Sequence, residues 1–134
     1  MTHLLLDTHV LVWFAEGSAE LKPALVGRIE EAVAASETHV SVFSFWEVAI
    51  LVARNRLTLD RPIDLWADSV SKAPGFDITP LSPAIAIEST RLPGNFHKDP
   101  ADQIIVATAR FFDCPLVTSD SRILSYSHVK TVAR

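Results

Sequence analysis

The sequence predicts a single-domain α/β sandwich with a largely parallel central sheet, and three observations lead there. Short apolar segments of strand composition alternate with longer segments of helical periodicity along the chain. Pro and Gly fall between those segments, at Pro74-Gly75 and Pro93-Gly94, and no Gly/Ser linker, low-complexity tract or repeat interrupts them. A length of 134 residues with 49% hydrophobic content suits one unit that buries roughly two thirds of its unfolded surface, so one domain is expected over residues 1–134.

The strands expected, in order, are His3 to Leu6, Thr38 to Val42, Phe76 to Leu81, Pro115 to Thr118 and Val129 to Val132. The helices expected between them are Thr8 to Ala15, Pro23 to Ala35, Phe45 to Asn55, Ile63 to Lys72, Pro83 to Arg91 and Ala101 to Phe112, with a short capped turn from Ser121 to Leu124. Strand order cannot be read from this alternation. Two segments, Phe45 to Ala53 and Ile104 to Phe112, are apolar nearly all round, which predicts burial against the sheet or in a subunit contact. On the second, Asp102 shares a helical stripe with Ile105, Val106 and Ala109. A carboxylate on that stripe needs a reason.

Composition narrows the function classes. No apolar run approaches the roughly 18 residues that cross a bilayer, and the first residues lack the basic and small-residue pattern of a secretion signal, so a cytoplasmic address without a membrane is expected. Cys114 is the only cysteine and reads as a buried thiol, which excludes an internal disulfide and a cysteine zinc site. The net charge of -4 lacks the basic footprint of an ordinary nucleic-acid binder, an objection that weakens if several acids hold cations in one site.

Four acids stand at strand-to-helix junctions. Asp7 follows Leu4-Leu5-Leu6 and can cap the next helix. Ser44-Phe45-Trp46-Glu47 has the form of a capping box, in which Glu47 reaches back to the Ser44 N–H. Asp99-Pro100-Ala101-Asp102 offers a cap, a proline at the first helical position and an acid in the first turn. Asp120 follows Leu116 to Ser119 and can cap the last turn. Singly, each is explained as a cap. With 16 acids in 134 residues, four designated junctions would all be acidic with a chance of about 0.0002, or about 0.01 if cap preference raises each to about 0.3.

In an open α/β sheet such junctions converge along the carboxyl edge of the strands, where ligands bind. Clustered carboxylates raise one another's pKa and call for a positive partner. Oxygen ligands without cysteine select Mg²⁺ or Mn²⁺ over zinc, and such ions hold phosphates, activate water and stabilise a leaving oxygen.

The segments LLLDTHVLVWF, SFWEVAIL, HKDPADQIIVATA and LVTSD, in that order and spacing, resemble PIN-domain proteins, specifically VapC-type toxins, over nearly the whole chain. The resemblance implies a PIN-like α/β/α sandwich and a Mg²⁺- or Mn²⁺-dependent endoribonuclease, usually dimeric, paired with a VapB-like antitoxin that blocks the site. It assigns catalysis and metal binding to Asp7, Glu47, Asp102 and Asp120, and a site-orienting hydroxyl to Thr118. Asp99 fits the H-x-D-P-x-D form either as a further ligand or as a helix cap.

Other residues receive quieter readings. His9 and His97 are expected to be structural, and His3, His39 and His128 incidental. Asp64 and Asp68 read as a solvated helix face. Trp13, Phe14, Phe43, Phe45 and Trp46 read as core, with an antitoxin groove as the alternative. Arg54, Arg56, Arg91 and Lys98 flank the acidic motifs, as an RNA path or as an ordinary solvated surface. A haloacid-dehalogenase-like phosphatase wants a second Asp where His9 stands, and a phosphoryl receiver wants a lysine where Thr118-Ser119 stands. The remaining rival is a catalytically inactive PIN-like interaction module, which would be expected to have lost one or more of the acids.

Overall fold

The computed structural model describes residues 3–133, so the outermost positions of the expected 1–134 domain lie outside the described residues. Five strands, β1 (Leu4–Leu6), β2 (Thr38–Ser41), β3 (Phe76–Thr79), β4 (Leu116–Thr118) and β5 (Thr131–Ala133), form one sheet in the order β3-β2-β1-β4-β5. Every pairing is parallel, with Leu6 opposite both Val40 and Val117. Seven helices connect them: α1 (Thr8–Glu16), α2 (Pro23–Ala34), α3 (Val42–Ala53), α4 (Ile63–Lys72), α5 (Pro83–Ser89), α6 (Pro100–Phe111) and α7 (Ser121–Leu124).

The pleat sends alternate residues to opposite layers. Leu4, Leu6, Val40 and Val117 face a core shared with Ile29 of α2, Val48 of α3, and Trp66 and Val70 of α4. Leu5 and Leu116 face a second core with Ile105, Val106 and Ala109 of α6, Ile123 of α7 and Tyr126. Helices therefore cover both faces, as an all-parallel sheet requires.

Three sequence expectations are corrected. The second strand ends at Ser41 and the next helix starts at Val42 rather than Phe45, because the Ser41 side chain caps it by accepting from the Phe43 N–H at 3.1 Å. Ser44 is consequently inside the helix, and the Ser44–Glu47 capping box does not form. The last strand lies at Thr131–Ala133 rather than Val129 to Val132, set by its register against Leu116 to Thr118. Within the chain, α3 buries Ser44 and Val48, whereas Trp46 is 54% exposed and stacks on Phe43 at 4.8 Å. The aromatic segment is thus only partly core.

The histidines read as incidental also have partners. His3 Nδ1 lies 2.8 Å from His39 Nε2, His39 Nδ1 lies 2.9 Å from Asp77 Oδ2, and His3 Nε2 lies 3.2 Å from Glu37 Oε2. Parallel register brings them together by placing His39 opposite Asp77. Cys114 is buried as expected, and burial pushes its thiol up to about 11, away from redox or ligand chemistry. Asp68 pairs with Lys72 one turn on, on an exposed face.

Candidate active site

The strand order reverses direction at β1, which continues through β2 to β3 on one side and through β4 to β5 on the other. In open parallel sheets the crevice beyond the carboxyl ends at such a reversal is where ligands bind. Asp7 follows β1 directly, and Thr118 ends β4 beside it. The Thr118 hydroxyl donates to Asp7 Oδ2 at 2.7 Å, and the Asp7 N–H donates to the Val117 carbonyl at 2.9 Å. Asp7 Oδ1 accepts from the Thr8 N–H at 2.8 Å, so the same carboxylate caps α1 and faces the crevice.

Asp102 arrives from the first turn of α6, and Asp120 from the turn after β4. Asp99 caps α6, accepting from the N–H groups of Ala101 and Asp102 at 2.9 and 3.3 Å. Asp120 caps α7 through the Arg122 N–H at 2.8 Å. Its N–H donates to the Thr118 hydroxyl at 3.0 Å, so Thr118 links two of the acids. Glu47 comes from the second turn of α3. Its Oε1 accepts from the Thr8 hydroxyl at 2.5 Å, and Thr8 lies 2.9 Å from the Ser44 hydroxyl.

Charge shows that the acids share one neighbourhood. Burial, then the negative charges of Asp7, Asp99, Asp120 and Glu47, push the Asp102 carboxyl up to about 7. Asp7 is also raised, by burial, against the opposing hydrogen bonds from Thr118 and Thr8. Glu47 is raised by burial, against the Thr8 hydroxyl. Asp120 moves the other way: its partial burial is outweighed by hydrogen bonds from the Arg122 N–H and guanidinium and by the Arg122 charge. The Arg122 guanidinium Nη2 lies 3.4 Å from both Asp102 Oδ2 and Asp120 Oδ2. His97 Nε2 is 3.0 Å from Asp102 Oδ2 but out of line for a hydrogen bond, which leaves a buried ring nitrogen without a hydrogen-bond partner.

A hard divalent ion fits the chemistry of the four carboxylates, which offer oxygen donors only, three of them, Asp7, Glu47 and Asp102, with raised pKa values. Among the described residues, no three His, Cys, Asp or Glu side chains already form a group that could hold an ion. Coordination therefore requires side-chain movement. Of the cations flanking the acidic motifs, Arg91 is paired with Glu88 at 2.6 Å on an exposed face.

Sequence reasoning missed two participants. Arg122 carries the signal of a base two residues after the Asp120 cap, within one turn. Thr8 carries none, since its partners Ser44 and Glu47 come from another helix. Thr8→Val removes the hydroxyl between them and leaves Glu47 Oε1 short of a donor. We expect it to lower stability by about 1–3 kcal/mol in urea unfolding, with Thr8→Ser restoring the wild-type midpoint. An unchanged midpoint for Thr8→Val would remove Thr8 from the network.

Comparison with known proteins accords with this geometry. The PIN domain family matches residues 4–129. Ribonuclease VapC22 of Mycobacterium tuberculosis (strain ATCC 25618 / H37Rv) is 34% identical over 132 residues, covering 98% of each chain. DNA-bound VapBC from Salmonella typhimurium superposes with a TM-score of 0.71 at 14% identity, covering 99% of this chain and 98% of that one. VapBC2 from Rickettsia felis, bound to a DNA fragment from its promoter, gives 0.68 at 12% identity and 98% coverage of both. Acids at helix starts by the reversal of a five-stranded parallel sheet, a family match over residues 4–129 and a near full-length relative lead to one conclusion: this chain belongs to the PIN-domain family and is of the VapC type.

Proposed function

We propose that this chain is a VapC-type endoribonuclease, the toxin of a toxin–antitoxin pair, and that it cleaves RNA phosphodiester bonds with Mg²⁺ or Mn²⁺ at the carboxylate crevice. The observation that carries the reading is the placement of Asp7, Asp102 and Asp120 at helix starts by the strand-order reversal, with Asp7 and the Asp120 backbone joined through the Thr118 hydroxyl. The similarity to Ribonuclease VapC22 supports RNA as substrate.

Asp7, Glu47, Asp102 and Asp120 would hold the ion, with Asp99 left as the cap of α6. A bound divalent ion supplies Lewis-acid stabilisation of phosphate charge and a more acidic water. The chain's own residues set the geometry. Thr118 fixes Asp7 and the Asp120 backbone, Thr8 fixes Glu47, and the buried Ser44 hydroxyl holds Thr8. The Arg122 guanidinium at the rim offsets the cluster's charge and can hold a phosphate oxygen.

The likeness to VapBC complexes supports a VapB-like antitoxin as partner. The exposed Phe43–Trp46 stack on α3 supplies an aromatic anchor of the kind such contacts favour. Ile87 and Phe111, apolar and exposed on α5 and α6, suit the contact of a homodimer. No helix among the described residues is long and apolar enough to cross a membrane, and the reading places the chain in the cytoplasm. All four acids are present, so nothing favours the inactive interaction module.

The test is cleavage of single-stranded RNA by purified wild-type chain. Cleavage with Mg²⁺ or Mn²⁺, arrested by EDTA and restored by excess ion, is the expected result. Intact RNA under all conditions would return the chain to the interaction-module class.

A further inference from the structure

Beside the carboxylates lies a cavity of about 410 Å³ between the segment from Gly94 to His97 and the segment from Arg122 to His128. That is within the roughly 300–1,000 Å³ range of small-ligand sites. Two of its residues also belong to the acidic site: His97, whose Nε2 is 3.0 Å from Asp102, and Arg122, whose guanidinium bridges Asp102 and Asp120. Two other cavities, of about 300 and 480 Å³, include none of the carboxylates or their partners.

The lining is aromatic and amide-bearing. Phe96 packs on His97 at 4.4 Å and on Tyr126 at 4.8 Å, and Tyr126 packs on His128 at 5.4 Å, which makes a continuous row of rings. Tyr126 is buried and its hydroxyl donates to the Pro93 carbonyl, which anchors the row to the opposite segment. Asn95 and His128 are exposed at the opening. Gly94 has φ +68°, and a side-chain carbon placed on it would lie 3.4 Å from Cδ2 and Nε2 of His128. A side chain extending beyond that carbon would crowd the opening, so glycine serves both the backbone turn and the space.

We propose that this cavity is a nucleobase subsite, holding one unpaired base of the RNA next to the phosphate that lies over the carboxylates. Unpaired bases are recognised by stacking on aromatic or histidine rings and by hydrogen bonds to their edges. Here the ring row supplies the stacking surface and the Asn95 amide supplies a donor and an acceptor. Arg122 joins the two halves, lining the cavity and reaching Asp102 and Asp120 with its guanidinium. The inference rests on the ribonuclease reading and adds a determinant of sequence preference.

The test uses exposed residues outside the carboxylate network, His128→Ala and Asn95→Ala, with Gly94→Asn as a filled-cavity control, since asparagine tolerates the positive φ. Cleavage positions in a randomised single-stranded RNA pool are sequenced for the wild type and each variant. Short-RNA affinity is measured by fluorescence anisotropy in EDTA. Expected results are affinity about tenfold weaker for His128→Ala, as for loss of one stacked base, and a flattened preference at one nucleotide beside the cut for Asn95→Ala. Gly94→Asn is expected to do both. A wild type that cleaves, with affinity and preference unchanged in all three variants, overturns the subsite alone. A wild type that neither binds nor cleaves RNA overturns the ribonuclease reading and the subsite with it.

Discussion

Asp7→Asn and Asp102→Asn are each expected to reduce RNA cleavage at least about 10³-fold while the folded chain survives. The reasoning is electrostatic. Each substitution keeps the side-chain shape but removes one unit of the negative charge that would hold the ion, and metal stabilisation of a phosphoryl transition state is worth several kcal/mol. Folding tolerates the change because Asp7 is buried and carries its charge at a cost: desolvation already raises its pKa. In Asp7→Asn the new amide oxygen can still accept from the Thr8 N–H. The amide nitrogen can donate to the Thr118 hydroxyl, which already accepts from the Asp120 N–H and has a second lone pair to offer. Cleavage assays paired with circular dichroism measure both halves. Variants that are folded and retain near-wild-type cleavage would remove these acids from the chemistry.

Metal-free protein is expected to be more stable at pH 5.5 than at pH 8, by up to about 2 kcal/mol. The Asp102 carboxyl is raised from 3.8 to about 7 in the folded chain. Between those values the folded state keeps a proton that the unfolded state has released. Unfolding stability therefore falls as pH rises through that window and levels off above it. Asp7 and Glu47 are raised and push the same way, while Asp120 is lowered and opposes them. On the proposed function a divalent ion would bind the ionised cluster, so millimolar Mn²⁺ should raise the unfolding midpoint more at pH 8 than at pH 5.5. Urea unfolding at both pH values, in EDTA and in Mn²⁺, reads all four states. Greater metal-free stability at pH 8 would contradict the burial and mutual repulsion assigned to Asp102.

The alternation of strands and helices was legible because each local signal had a local cause: apolar triplets for β1 and β4, caps at Asp7, Asp99 and Asp120, and prolines opening α2, α5 and α6. The strand order was not legible, since it depends on which edges pair. The acids at residues 7, 102 and 120 were visible as helix-start residues, and Asp7 and Asp120 are caps and crevice residues in the same side chains. Glu47 was legible as a junction acid and in the SFWEVAIL segment, while the capping box offered as its structural explanation does not form. Ser41 caps the helix earlier, and the true partner of Glu47 is Thr8, a contact between helices that no short-range spacing encodes. Trp46 misled for a similar reason, because an apolar helix reads as core until the fold shows which side has no neighbour. Arg122 lay hidden beside Asp120, where an acid and a base on one turn look like an ordinary solvated pair.

The central claim is that Asp7, Glu47, Asp102 and Asp120 act as one ion-holding site. Calorimetric titration of Mn²⁺ into the wild type and into the four single variants Asp7→Asn, Glu47→Gln, Asp102→Asn and Asp120→Asn tests it most directly. The account predicts saturable binding to the wild type and weakened binding in every variant, with the largest losses at Asp7 and Asp102. A wild type that binds no Mn²⁺, or affinity that survives all four substitutions unchanged, would contradict it.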